Sequence, residues 1–120
     1  MASKKSAEPS NQIITVEFFN SLMNVLAKNT SVNYSVIALE QIKKQQVQKY
    51  PFLKEITFTP KGATVSTKIN SVDIRSIGKM FNTLLEILGP NILGELILEK
   101  LNPKIVKHLQ KFGISFVSEI

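Results

Sequence analysis

A single histidine, two glutamates one helical turn apart and a run of lysines are the side chains here that could do chemistry. His108 is the only histidine, and there is no cysteine. A lone imidazole can move a proton, but it cannot complete a multi-histidine site, and the Glu-x-x-His pairing of di-iron bundles fails because residue 105 is Ile. The expectation for His108 is a partly exposed helical position beside Lys104 and Lys107. Glu95 and Glu99 stand at i,i+4, close enough on one helix face to share a hard cation or to alter each other's proton affinity. Two ligands among apolar neighbours read more simply as an exposed stripe. The glycines at 62, 78, 89, 94 and 113 form neither a P-loop nor a dinucleotide fingerprint, and no serine sits in a nucleophile elbow. The sequence points away from an enzyme and calls for no metal and no cofactor.

The lysines carry a different chemistry. Lys43, Lys44, Lys49, Lys54, Lys61 and Lys68 make residues 43–68 the most basic stretch of a chain whose net charge is +6, from 15 Lys and Arg against 9 Asp and Glu. Such a surplus attracts polyanions, and Tyr50 and Phe52 lie within the run as candidate stacking groups. The expectation is a solvated lysine face, with nucleic-acid association through these six lysines as the alternative. Base-specific reading is disfavoured, because Arg75 is the only arginine and the guanidinium fork is what grips bases and phosphates at two points.

Apolar periodicity must position these groups. In Ser71–Leu101, Ile74, Ile77, Phe81, Leu84, Leu85 and Leu88 recur at three- and four-residue steps, which predicts a long helix capped by Asn70 or Ser71. Met80 and Ile87 lie off that stripe, so the helix needs neighbours on two sides. Gly78 within it costs about 1 kcal/mol relative to alanine, which close approach of another backbone would offset. Gly89-Pro90 stops the helix, 91–101 forms a short apolar one, and Asn102-Pro103 opens a last helix through Phe112.

Earlier in the chain, residues 1–12 are polar and predict a disordered tail. Phe18, Phe19, Leu22, Met23, Val25 and Leu26 predict a helix from Thr15 to Asn29, and a poorer apolar pattern predicts a second from Asn33 to Lys49, ended by Tyr50-Pro51. The period then changes to two. Strands are expected at 53–59 and 63–69 around a Pro60-Lys61-Gly62 turn, and Ile114–Ile120 is a candidate third strand on the hairpin's edge.

The chain thus reads as α+β: two N-terminal helices, a hairpin, three C-terminal helices and a short last strand, with 13–120 as one domain. Without cysteine there is no disulfide, and no apolar run approaches the roughly 20 residues that span a bilayer, so a cytoplasmic protein is expected. The apolar residues of Leu84–Leu101 exceed what 120 residues readily hide. Ile92, Leu93, Leu96, Ile97, Leu98 and Leu101 are therefore expected to form a homodimer or protein-partner interface of a non-catalytic regulatory module. Beside the nucleic-acid reading, the other alternative is a sensor domain holding an apolar ligand between helices.

Overall fold

A computed structural model of the chain describes residues 9–28, 30–89, 92 and 102–111. Among these the fold is α+β, with helices α1 (Asn11–Lys28), α2 (Val32–Gln46), α3 (Ile74–Leu88) and α4 (Pro103–Gln110) around a two-stranded antiparallel hairpin, β1 (Ile56–Thr59) and β2 (Gly62–Val65). The expected helix at 91–101, apart from Ile92, and the expected strand at 114–120 lie outside the described residues.

The hub is α1. It touches α2, β2, α3 and the short 3-10 turn after β2, and it buries Ile14, Phe18, Phe19, Leu22, Met23, Val25 and Leu26. Consecutive phenylalanines explain how one helix serves several neighbours, since adjacent helical positions point about 100° apart. Phe18 stacks on Phe81 of α3 with ring centroids 3.9 Å apart, while Phe19 meets Phe58 of β1 edge-on at 5.1 Å. The apolar periodicity within 71–101 predicts a helix with neighbours on two sides. Within the described residues α3 supplies Ile77, Met80, Phe81, Leu84 and Leu85 to the core, but it meets the hairpin side of the molecule through α1. Met80 is buried as a two-faced helix requires, whereas Ile87 is 46% exposed.

Several boundaries differ from expectation, each for a local reason. Helix α1 begins at Asn11, so the polar tail predicted over 1–12 cannot include its last two residues. Asn11 donates through Nδ2 to the carbonyls of Ile69 (3.2 Å) and Val72 (2.6 Å), and the Asn70 side chain accepts from the Gln12 amide at 2.9 Å. These bonds tie the first turn of α1 to the 3-10 turn Thr67–Ser71, so polar residues here are structural. Ser31 caps α2 by accepting from the Tyr34 amide, and Asp73 rather than Asn70 or Ser71 caps α3 by accepting from the Arg75 amide.

The strands are shorter than the alternation implied. Residues 51–55 and 67–71 are 3-10 turns instead, the first opened by Pro51 and the second by Ser66, whose hydroxyl accepts from the Lys68 amide. Leu53 and Ile69 are buried from within these turns, so a period-two pattern extended past the true strand ends. The register pairs Ile56 with Val65 and Phe58 with Ala63, putting the apolar residues on the face turned to α1. Thr57 and Thr64 pair on the exposed face. Gly62 closes the turn at φ +132°, a conformation that side chains disfavour.

Candidate functional site

A two-stranded hairpin leaves outward backbone groups on both edges, and exposed edges of this kind recruit other strands. Here both edges are engaged by side chains. On the β2 edge, Asn20 Oδ1 accepts from the Ala63 amide at 2.8 Å and Gln12 Nε2 donates to the Val65 carbonyl at 2.7 Å. On the β1 edge, Glu40 Oε2 accepts from the Phe58 amide at 3.3 Å and Lys43 Nζ donates to the Ile56 carbonyl at 2.6 Å. Helices α1 and α2 thus stand on either side of the hairpin like missing neighbours, one offering amides and the other an acid and a base. Lys43 also lies 3.9 Å from Glu40 Oε1.

This arrangement divides the six lysines of the basic run. Lys43 is committed to β1. Lys61 sits in the turn, at the closed end of the hairpin, whereas Lys54 and Lys68 flank its open end on the two 3-10 turns, which contact each other. Lys44 and Lys49 are exposed at and beyond the last turn of α2. The run therefore does not form one patch of six. Tyr50, expected as a stacking group, is only 8% exposed, because its ring packs in the core and its hydroxyl lies 2.9 Å from Thr83 Oγ1. Lys49 Nζ lies 5.4 Å from the Tyr50 ring centroid, within cation-π range.

At the closed end, an open groove of about 280 Å³ runs between α1, α2 and the turn, lined by Asn20, Asn24, Val32, Ser35, Lys61 and Gly62 among others. The helix α2 also exposes apolar bulk: Val32, which lines the groove, is 46% accessible, and Tyr34 and Ile37 on another face are 51% and 66%. Sequence reasoning passed over these residues because a polar, glutamine-rich helix drew attention to its charges. The signal available was the crowding of Val32, Tyr34, Val36 and Ile37 on more than one face of the first two turns.

The other expected sites resolve as follows. His108 is buried, not partly exposed, since it stands three residues from Ile105 and one from Leu109 on the core face of α4. Of the expected interface, Ile92 packs partly buried against the core. Leu93, Leu96, Ile97, Leu98 and Leu101, like Glu95 and Glu99, lie outside the described residues. Among the described residues no three His, Asp or Glu side chains gather as metal ligands, and no helix is long and apolar enough to cross a membrane. No family model, curated protein or solved structure matches this chain.

Proposed function

We propose that the chain is a small non-catalytic interaction module that pairs with a second copy of itself through the N-terminal half of α2. One observation carries the reading: Val32, Tyr34 and Ile37 present large apolar side chains to water within two turns of a single helix. Scattered exposed apolar residues are ordinary, but Tyr34 and Ile37, three positions apart, share one helix face, while Val32 on the opposite side lines the groove. Lys44 is the only charged residue among the exposed positions of α2. A two-fold axis near Ile37 would run two such helices antiparallel, placing Lys44 of each past the N-terminal end of the other helix, so the two lysines do not oppose each other. The apolar positions 93–101 supply a second contact in this proposal, and the sealed hairpin edges leave side-chain packing, not strand addition, as the mode of association.

Light scattering over a concentration series tests this. The wild type is expected as a dimer, and Ile37→Glu as a monomer with an unchanged circular-dichroism spectrum. A monomeric wild type at every concentration ends the proposal. Dissociation by Leu98→Glu but not by Ile37→Glu moves the interface to the C-terminal half.

A further inference from the structure

We infer that the open end of the hairpin is a binding surface for the phosphate backbone of duplex nucleic acid, formed by Lys49, Lys54, Lys68, Arg75 and Lys79. The surface is separate from the α2 face proposed above.

Charge supplies the first argument. Residues 43–79 hold eight cationic side chains against two carboxylates, so this third of the chain accounts for the entire net charge of +6. The rest of the sequence balances.

The fold supplies the second. It removes Lys43, held by the Ile56 carbonyl and Glu40, and it sends Lys61 to the far end of the strands. Of the six that remain, Lys44 stays on the outer face of α2, and the fold gathers the other five. Tyr50 links them, with the Lys49 ammonium over its ring and its hydroxyl 3.5 Å from the Lys79 carbonyl of α3. The 3-10 turn that follows Tyr50 carries Lys54 and contacts the one carrying Lys68, and Asp73 then leads directly into Arg75 and α3. All five cationic residues are exposed. Two acids share this end, half-buried Glu55 and exposed Asp73, whose Oδ1 accepts from the Arg75 amide, so five cations face two carboxylates.

The third argument chooses the partner. Anionic membrane surfaces are held by basic residues together with inserted apolar side chains. Of the exposed large apolar residues of the described chain, Val32, Tyr34, Ile37 and Ile87 lie on α2 and at the far end of α3, and Ile13 alone neighbours this surface, through the bonds of Gln12 to Asn70 and Val65, a single side chain where insertion needs an apolar face. Single strands are held by exposed aromatic platforms, and Tyr50 is buried here with Phe52 half-buried against it. Lysine point charges with one arginine and no exposed ring suit sequence-independent contact with closely spaced phosphates.

Fluorescence anisotropy with a labelled mixed-sequence duplex of about 20 base pairs, titrated from about 50 to about 200 mM salt, tests the inference. Binding is expected at low salt, with log K falling against log salt at a slope of about −4, as four to five phosphate contacts require. Lys54→Glu with Lys68→Glu should weaken binding by at least about tenfold, and Lys61→Glu, an equal charge change per site at the other end, by no more than about twofold. Circular dichroism of each variant separates lost binding from lost fold. No binding at low salt overturns the inference, as do equal losses at Lys61 and Lys54, tighter binding to single strands, or stronger capture by vesicles rich in phosphatidylserine.

Discussion

Helices α1 and α2 flank the same hairpin and perform the same service for it, yet they are built oppositely. Each closes one strand edge with two side chains. Helix α1 uses neutral amides, Gln12 and Asn20, and buries much of its remaining surface; α2 uses the charged pair Glu40 and Lys43 and buries only Ser35, Leu39 and Ile42. The difference follows from dielectric surroundings. An ionised group is expensive to bury, so the interior helix caps with amides, whereas the outer helix can use full charges in contact with water. It also divides labour, because a helix committed to the core on several sides has little surface left for a partner, while α2 leaves seven of its fifteen positions exposed.

The comparison is broken most directly by truncating the core side of α1. Phe18 is fully buried and stacked on Phe81, so Phe18→Ala should cost about 3 to 5 kcal/mol in urea unfolding. A loss below about 1 kcal/mol would mean that α1 is not the hub. Leu39→Ala on α2 also removes a buried side chain and belongs to the same class, but with fewer layers around it the site can relax further and the loss should fall toward about 2 kcal/mol.

Next come the amide caps. Asn20→Ala leaves the Ala63 amide without its acceptor and should cost about 1 to 3 kcal/mol. Gly62→Ala should cost a comparable amount, from φ +132° and from a new Cβ only 2.8 Å from Asn20 Oδ1. The two are coupled. In the double variant the clash is gone but the backbone strain remains, so the combined loss should fall short of the sum by about 0.5 kcal/mol or more. Strict additivity in the cycle would show that Asn20 does not press on the turn.

Much of this was legible in advance, and the exceptions are instructive. The hairpin, its glycine, and four of the helices follow from patterns of two and of three to four, because burial on one face imposes them. The strand ends did not, since a 3-10 turn can bury Leu53 and Ile69 from positions that extend an alternating pattern. Nor did the tasks of Asn11, Gln12, Asn20 and Lys43: a polar side chain satisfying a distant backbone group leaves no periodic trace, and Lys43 looks in the sequence like one more cation. The candidate sites suffered most from this. Tyr50 and Lys43, both assigned to a basic surface, are consumed by the fold.

The charged cap on α2 gives a smaller effect with a different signature. Lys43→Met should cost about 1 kcal/mol, since the Ile56 carbonyl loses one part-buried hydrogen bond. Salt distinguishes the two sides of the hairpin. In urea melts at low and at high ionic strength, the penalty for Lys43→Met should shrink as screening rises, and the penalty for Asn20→Ala should not. Equal salt dependence would remove the electrostatic distinction between the helices.

The smallest effect on stability is the most telling for function. Ile37 is 66% exposed in the described structure, so Ile37→Ser removes little buried area and should change monomer stability by no more than about 0.5 kcal/mol. If two copies meet through α2, however, the same variant should lose stability that depends on protein concentration, because the dimer contributes only to the wild type and mass action scales that contribution. Melting the two proteins across a hundredfold dilution, about the range over which linkage of this kind becomes measurable, separates the cases. Curves that converge on dilution place Ile37 in an interface, and curves that coincide at every concentration make it an ordinary exposed residue of a helix whose work is finished once it has covered β1.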